Sequence, residues 1–270
     1  GVLTGTHIFV KDLTTGELKV ITDGWDAASI DWEEYRFSDD GSTIVFTARP
    51  KLTWTEGNSA AGTTTYNLGD SEVSDNGNYV VTYDVAADAF SVVGGTNSGS
   101  SVSPRISGDG KYVIFTGDAG AWTSDATGDQ LLRYNTETQE VDVVSSDGNG
   151  TPRGRGMNAD VSADGRFVVF NAATDPVAWT DFVPPKPGTL PEPHHPDSYS
   201  YPNDQRSDGW YLKDMDTGAV VYVGESHDGA DLADPVGNAR ISADGSVITF
   251  TSRADNLVPG DGDAGGNNVF

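Results

Sequence analysis

The sequence predicts an all-β fold made of repeated four-stranded sheets, and two observations support this prediction. A ten-residue pattern occurs four times, as "FSDDGSTIVF", "ISGDGKYVIF", "VSADGRFVVF" and "ISADGSVITF", beginning at Phe37, Ile106, Val161 and Ile241. No window shows a convincing 3.6-residue period, and glycine interrupts nearly every helical candidate. Such recurrence indicates an architecture in which each unit buries its apolar surface against its neighbours.

Each copy of the pattern predicts a β-hairpin. A Ser-x-Asp-Gly turn is followed by a β-branched and aromatic run, which suits a pleated strand. Asp-Gly between two such runs is a strong hairpin signal because glycine adopts positive φ without steric cost. The turn glycines are Gly41, Gly110, Gly165 and Gly245.

A second hairpin accompanies each first one and completes the repeat. It is written "IFVKDLTTGELKVI", "VVTYDVAADAFSVV", "LLRYNTETQEVDVV" and "WYLKDMDTGAVVYV". Each begins with an alternating strand that ends at Asp or Asn, followed by turn residues. The repeat is therefore four antiparallel strands. A fifth, degenerate repeat is an alternative, because "VSDNGNYVVTYD" at Val73 imitates the first hairpin. The overlapping segment "YDVAADAFSVV" fits the second hairpin better.

Four-stranded sheets with two apolar faces bury both by stacking around an axis, which predicts a β-propeller. The stretches "NADVSADGRFVVF" and "WYLKDMDTGAVVYV" resemble the TolB-like, WD-like propeller repeats. The resemblance covers most of the chain and implies the fold. It does not imply one function, because propellers of this kind include protein-binding, sugar-binding and catalytic members.

We expect one propeller domain over residues 1–270. The repeat units span about 7–22, 37–94, 106–145, 161–224 and 241–270, with insertions at about 51–71 and 176–203. The N-terminal hairpin supplies third and fourth strands, so we expect it to complete the last blade and join the two ends. This gives four blades, with five as the alternative. The segments "HIFV" and "NNVF" both suit the third-strand position, so either one of them is displaced or the chain is a piece of a longer array.

Composition restricts the function classes. The chain has 41 Asp and Glu against 16 Lys and Arg, a net charge of −25, so we expect no nucleic-acid partner, which would need clustered basic residues. No apolar run approaches the roughly 18 residues of a membrane span. No charged-then-apolar leader opens the sequence, and we interpret this as a secretion signal that is either removed or absent. Cysteine is absent, which excludes disulfides and thiolate chemistry.

Dense carboxylates suit either high salt or divalent cations, and we expect an extracellular bacterial protein, secreted or at the cell surface.

Acidic residues near the C-terminal end of the sequence make Ca²⁺ a candidate cofactor. The stretch "NLVPGDGDAGGNNVF" combines carboxylates and amides with glycine turns, and calcium takes six to eight oxygen ligands. The predicted ligands are Asp261, Asp263 and Asn267. Solvated turn residues are the alternative interpretation. For the aspartates of the Ser-x-Asp-Gly turns we expect a structural role, since four copies of one residue indicate architecture.

Non-repeated segments provide the candidate binding residues. The proline-rich insertion holds aromatic residues that suit sugar stacking or protein contact, and the predicted inter-blade loops hold carboxylates, tryptophans and arginines. The candidates are Trp25, Asp31, Trp32, Glu33, Arg153, Arg155, Trp179, Tyr199 and Tyr201.

The function that these features favour is a non-enzymatic extracellular module for binding or assembly. Its partner would be a protein or a polysaccharide, with self-assembly or attachment to neighbouring domains as further options. The alternative is a carbohydrate-active enzyme, a polysaccharide lyase or glycoside hydrolase, that uses carboxylates of the inter-blade loops. An aromatic loop that covers its own blade is the structural alternative for the insertion.

Overall fold

The computed structural model describes residues 7–22, 30–48, 78–96, 103–121, 128–152, 155–172, 209–224, 236–254, 257 and 268–269. Within these ranges the regular structure is β, apart from one turn of 3-10 helix at Ala119–Ala121. No helix in the described part of the chain is long and apolar enough to span a membrane. The chain forms two compact units, Gly1–Pro104 and Arg105–Phe270.

The first unit contains a two-stranded sheet and a four-stranded sheet. The N-terminal hairpin pairs β1 with β2, and blade 1 has the strand order β3-β4-β5-β6 with every neighbour antiparallel. The strands are β1 (Phe9–Lys11), β2 (Leu18–Val20), β3 (Ile30–Phe37), β4 (Thr43–Ala48), β5 (Asn78–Asp84) and β6 (Ala89–Thr96).

The second unit contains three sheets of the same antiparallel type. Blade 2 has the order β7-β8-β9-β10, blade 3 the order β11-β12-β13-β14, and blade 4 the order β15-β16-β17. Blade 2 consists of β7 (Arg105–Ile106), β8 (Tyr112–Asp118), β9 (Asp129–Asn135) and β10 (Val141–Val143). Blade 3 consists of β11 (Gly156–Val161), β12 (Phe167–Ala172), β13 (Gly209–Asp214) and β14 (Val220–Tyr222). Blade 4 consists of β15 (Gly237–Ile241), β16 (Ile248–Ser252) and β17 (Asn268–Val269).

The predicted hairpins are confirmed in both units. Each Ser-x-Asp-Gly turn joins the first two strands of a blade, and its glycine has φ between 70° and 75°. Strand β5 pairs with β4 on one side and β6 on the other, so it is the third strand of blade 1. The segment "YDVAADAFSVV" thus belongs to the second hairpin, as we expected.

One of the two segments that suited the third position of blade 4 is found there. Val269 and Asn268 of β17 pair with Thr251 and Ser252 of β16. In the described residues β1 pairs with β2. The joining of the two ends, the blade number and the single-domain organisation stay predictions. Both predicted insertions lie outside the described residues.

Alternation along the strands of blade 3 lets its two faces pack against different neighbours. Val168, Phe170 and Tyr211 belong to a cluster that includes Ile114 and Leu131 of blade 2. Val169, Trp210 and Leu212 belong to a second cluster, shared with Ala239 of blade 4. Blades 2, 3 and 4 are therefore stacked face to face, which is the packing of consecutive propeller blades.

Backbone contacts between turns reinforce this stacking. The Asp109 N–H donates to the Ala163 carbonyl (2.9 Å), and the Ala163 N–H donates to the Ala243 carbonyl (2.8 Å). The ring of Tyr112 in blade 2 covers Gly165 in blade 3 so closely that a Cβ added there would overlap the ring. The ring of Phe167 covers Gly245 of blade 4 in the same way. Glycine is thus required both by positive φ and by the neighbouring ring.

Candidate functional site

Each Ser-x-Asp-Gly aspartate accepts hydrogen bonds from its own turn through Oδ1. In blade 3, Asp164 Oδ1 accepts hydrogen bonds from Ser162 Oγ (2.6 Å) and the Arg166 N–H (3.0 Å). The Phe167 N–H donates in turn to Ser162 Oγ (2.9 Å). The same three bonds occur in the turns that contain Asp40, Asp109 and Asp244. The predicted structural role of these carboxylates is confirmed.

These hydrogen bonds stabilise the ionised carboxylate. The Ser38 hydroxyl and the Ser42 N–H lower the pKa of Asp40 to about 2. The hydroxyls of Ser242 and Ser246, followed by the Ser246 N–H, lower the pKa of Asp244 to about 2. Burial alone would raise the pKa of Asp164, but its hydrogen bonds outweigh that effect and the pKa lies below its usual value. The lowered pKa values of Asp40, Asp164 and Asp244 suit a structural role better than proton transfer near neutral pH.

The end of blade 3 that carries the Ser-x-Asp-Gly turn is also stabilised by charge pairs. Arg166 binds Asp214 with two bonds, Nε to Oδ1 at 3.0 Å and Nη2 to Oδ2 at 2.7 Å. Its guanidinium also lies over the ring of Phe167, 4.7 Å from the centroid. Arg133 of blade 2 donates to the Gly165 carbonyl (3.0 Å). The turn end of blade 3 therefore has its charged groups paired.

The opposite end of blade 3 is built differently. Gly156 of β11 pairs with Ala172 of β12, and Ala172 pairs with Gly209 of β13, so the three residues lie side by side across the sheet. The chain leaves β12 after Ala172 and returns at Gly209, and the predicted insertion lies between these two points. Arg155 directly precedes Gly156 and is thus at the same end of the blade.

Arg155 is the one predicted binding residue whose side chain the structure describes. It is half-buried, its Nε is buried, and no described residue accepts a hydrogen bond from that Nε. A buried guanidinium N–H without an acceptor is costly, so this group is suited to a ligand oxygen or a neighbouring segment that supplies one.

The location predicted for Asp31, Trp32 and Glu33 was wrong. We expected a loop between blades, but the backbone of all three lies within β3. Ile30 pairs with Ala48 and Tyr35 with Phe46, so four residues of β3 lie opposite one residue of β4. This is a bulge, which the alternation of apolar residues does not reveal. Bulges occur frequently beside functional sites, where they redirect side chains.

Smaller bulges occur in the first strands of blades 3 and 4. In β11 two residues lie opposite one, between Met157 and Asp160, and β15 repeats this between Gly237 and Arg240. Asn158 and Asn238 have φ of 51° and 50° at these points. Asparagine tolerates the left-handed conformation better than most residues, so these two bulges have a local cause in the sequence.

The remaining candidates lie outside the described residues. They are Trp25, Arg153, Trp179, Tyr199 and Tyr201 for binding, and Asp261, Asp263 and Asn267 for calcium. Within the described ranges no three His, Asp, Glu or Cys residues form a group that could hold a metal ion.

The burial of Lys213 was not predicted from the sequence. Lys213 of β13 is only 3% exposed, and its Nζ donates to the Ser146 carbonyl (2.7 Å) and Ser146 Oγ (2.6 Å). Burial lowers the pKa of Lys213 to about 8, against the opposing effect of Asp147 and Asp142. The equivalent residue of blade 1 is the buried Tyr83, so alignment of the repeats was the available signal. Through these bonds Lys213 of blade 3 contacts the segment that follows the last strand of blade 2.

Comparison with known proteins identifies the fold and no closer relationship. No protein-family model and no curated protein matches the chain. A structure from an analysis of two prolyl endopeptidases matches 98% of this chain and 30% of its own, at 12% identity and TM-score 0.51. TolB from Acinetobacter baumannii matches 93% of this chain and 44% of its own, at 20% identity and TM-score 0.44. The β-propeller domain of the Trilobed protease from Pyrococcus furiosus matches 91% and 70%, at 11% identity and TM-score 0.39.

The chain spans less than half the length of the TolB and prolyl endopeptidase chains. At these identities the likeness shows the fold alone. Together with the four-stranded antiparallel sheets and their face-to-face stacking, it defines the class of protein as a β-propeller. The propeller fold that the resemblance of the repeats implied is therefore confirmed.

Proposed function

We propose that this propeller is a non-enzymatic extracellular module that binds a polysaccharide or a protein through the end of blade 3 opposite its Ser-x-Asp-Gly turn. One observation carries the proposal, the buried Nε of Arg155 with no hydrogen-bond acceptor among the described residues. Arg155 lies at the end of blade 3 from which the aromatic insertion departs. The ligand group that this arrangement favours is a carboxylate or another anionic oxygen.

The predicted aromatic residues fit this proposal. Trp179, Tyr199 and Tyr201 belong to the segment between Ala172 and Gly209, and both of those residues lie level with Gly156. Aromatic rings stack on sugar rings and anchor protein interfaces, while arginine binds a carboxylate with two parallel hydrogen bonds. Arg153, Trp25, Asp31, Trp32 and Glu33 are further proposed contact residues. An acidic polysaccharide is therefore the first ligand to test.

Engagement of the repeated carboxylates supports binding over catalysis. Four acidic residues that recur at one position all accept hydrogen bonds within their own turns. A catalytic acid or base works best with a pKa near the operating pH, whereas the pKa values of Asp40 and Asp244 are lowered to about 2. The proposed role is recognition on a rigid scaffold, in a secreted or cell-surface bacterial protein that has neighbouring domains or assembles with itself.

Calcium is part of the same proposal. Asp261, Asp263 and Asn267 supply oxygen ligands beside glycines, a donor set suited to Ca²⁺. If they hold calcium, the melting temperature rises with added calcium and falls with chelator. An unchanged midpoint would remove the calcium proposal without affecting the proposed binding site.

The binding proposal is tested by titrating the protein with an acidic polysaccharide, polygalacturonate, and with neutral dextran as the control. We expect saturable binding to the acidic polymer that Arg155→Gln reduces at least about tenfold, the loss of one charge-assisted pair. Arg166→Gln is the matched control, since Arg166 lies at the opposite end of the same blade. Equal binding by wild type and Arg155→Gln would contradict the proposal.

The alternative function is a carbohydrate-active enzyme. The bulge in β3 favours it, because Asp31 and Glu33 both lie in that irregular segment and glycoside hydrolysis uses two carboxyl groups. New reducing ends released from polygalacturonate, abolished by Asp31→Asn or Glu33→Gln, would support the enzyme. Binding without release over a long incubation would support the module.

A further inference from the structure

The first strand of each blade in the second unit has one edge without a strand partner among the described residues. Strands β7, β11 and β15 stand at the end of their sheets and pair only with the second strand. The Ser162 N–H donates to the Phe167 carbonyl, so alternation along the antiparallel ladder turns the Val161 N–H away from β12, to the open edge of β11. The Ile241 N–H has the equivalent position on β15 of blade 4. These two N–H groups therefore need acceptors from outside their own sheets.

In blade 4 the acceptor is a carboxylate of the preceding blade. The Ile241 N–H donates to Asp160 Oδ2 at 3.0 Å. Asp160 lies opposite Val169, which belongs to the cluster that blade 3 shares with blade 4, so both side chains are on the face toward blade 4. An aspartyl side chain therefore fits between the first strands of two stacked blades, where it satisfies the N–H at the open edge.

Between blades 2 and 3 an arginine has the place of that aspartate. The residue immediately before the ten-residue pattern is arginine in three copies and aspartate in one, as Arg36, Arg105, Asp160 and Arg240. Arg105 lies opposite Ile114, which belongs to the cluster shared with blade 3, so Arg105 is on the face toward blade 3. Arginine has donors and no acceptor, so it cannot accept a hydrogen bond from the Val161 N–H. This junction thus presents two donors where the next junction pairs a donor with a carboxylate.

The two junctions share the packing of their turns. The ring of Tyr112 covers Gly165 between blades 2 and 3, and the ring of Phe167 covers Gly245 between blades 3 and 4, at equivalent positions of the repeat. The carboxylate of Asp160 consequently marks, for the junction one blade earlier, the place to which the corresponding N–H of blade 3 is directed. A carboxylate at that place would accept from this N–H and lie beside the arginine.

We propose that Arg105 and the Val161 N–H bind the carboxylate of an aspartate or glutamate side chain from a partner protein, at the open edge of β11. The carboxylate accepts from this N–H as Asp160 accepts from Ile241, and its charge pairs with the guanidinium. Arg105 and Val161 are both half-buried, so a side chain from another molecule reaches them and is partly shielded from water. A protein side chain is the expected source, because the carboxylate in the equivalent place is itself an aspartyl group. The site is separate from that of Arg155, which precedes β11, whereas Val161 ends it.

Amide NMR spectra of the full chain test the proposal. The protein is titrated with a capped pentapeptide that has one aspartate between glycines, and with the same peptide carrying asparagine as the isosteric neutral control. We expect the aspartate peptide to shift the Val161 amide proton downfield in a saturable manner, and the asparagine peptide to bind at least about tenfold more weakly. The Ile241 amide is the internal reference and should not respond, because Asp160 already accepts from it. An unresponsive Val161 amide, or equal responses to the two peptides, would overturn the proposal. So would a Val161 response to polygalacturonate without one to the aspartate peptide.

A matched pair of arginine variants separates the site from general electrostatics. Arg105→Gln removes the charge from the proposed site, and we expect the affinity for the aspartate peptide to fall at least about tenfold. Arg240→Gln is the control, since Arg240 has the same position in blade 4 but alternates with Ala239, which packs on blade 3, and so faces away from blade 3. We expect this variant to bind as the wild type does. Equal losses in the two variants would contradict a local site.

Arg105→Asp tests the geometry without any ligand. It places a carboxylate before the pattern of blade 2, as Asp160 stands before the pattern of blade 3. We expect the Val161 amide proton of this variant to lie downfield of its wild-type position before any peptide is added, and to respond no further to the aspartate peptide. A Val161 amide at its wild-type position would show that residue 105 does not reach this N–H, and the proposal would fail.

Discussion

The two ends of blade 3 use the same strands in opposite ways. At the turn end, Arg166 pairs with Asp214, Arg133 binds the Gly165 carbonyl, and the ring of Tyr112 covers Gly165. At the other end, the buried Nε of Arg155 has no described acceptor, and the chain departs into a long insertion.

Under the proposed function, this difference separates architecture from binding. At the turn end of blade 3 the charged groups pair with one another and the ring of Tyr112 packs on the turn. The other end carries Arg155 and the connection to the insertion, and we propose that this is the end that binds. If this is correct, substitutions at the turn end reduce stability, and substitutions at the insertion end reduce binding.

The largest effect on stability is expected at Gly165. Gly165→Ala combines positive φ, which costs an alanine about 1–2 kcal/mol, with overlap against Tyr112, which adds about 1–3 kcal/mol. Urea unfolding measures the loss. Gly128→Ala is the matched control, because Gly128 has φ of 73° with nothing within 4 Å, and we expect it to lose only the φ contribution. Equal losses in the two variants would show that the neighbouring ring does not constrain the turn.

A smaller loss is expected at Arg166. Arg166→Gln leaves the largely buried Asp214 without its guanidinium partner, at a cost of about 1–3 kcal/mol. Lys111→Gln at the same position of blade 2 is the control, since the Lys111–Glu137 pair is exposed and worth less than about 1 kcal/mol. Thermal unfolding of both variants measures the two losses of stability. A larger loss in Lys111→Gln than in Arg166→Gln would contradict this ranking.

A stability effect that depends on pH is expected at Lys213. The pKa of about 8 in the folded protein lies below the value of 10.5 of an unperturbed lysine. Between these values the unfolded chain binds more protons, so the free energy of unfolding increases as pH rises from 8, by up to about 1.4 kcal/mol per pH unit. Below pH 8 both states are protonated and this contribution is constant.

Comparison of variants isolates this effect. Urea unfolding at pH 7.5, 8.5 and 9.5 should show the increase in the free energy of unfolding in the wild type. Lys111→Met removes an exposed lysine and should show the same increase. Lys213→Met should lack it. The same pH slope in Lys213→Met would mean that another group is responsible.

The sequence predicted the hairpins and their turns well because both depend on local chemistry. Serine, aspartate and glycine in fixed order define the turn, and β-branched runs define the strands that follow it. It also predicted that the repeated aspartates are structural. The long bulge in β3 was missed because the segment that contains Asp31 and Glu33 has no local bulge signal, in contrast to Asn158 in β11.

The candidate site was less predictable because it depends on register. Sequence spacing does not reveal that Gly156, Ala172 and Gly209 lie side by side, which brings Arg155 to the base of the insertion. Nor did it reveal that Lys213 is buried, since the residue in a strand reads as an ordinary solvent-facing lysine. The first conclusion needed the pairing of strands that are distant in the chain, whereas the second was available from the alignment of Lys213 with the buried Tyr83 of blade 1.

The most direct test measures binding and stability together in Arg155→Gln and Arg166→Gln. Titration with polygalacturonate and urea unfolding are carried out on both variants and the wild type. We predict that Arg155→Gln loses binding and keeps its stability, and that Arg166→Gln loses stability and keeps its binding. Loss of binding in Arg166→Gln while Arg155→Gln binds normally would contradict this prediction.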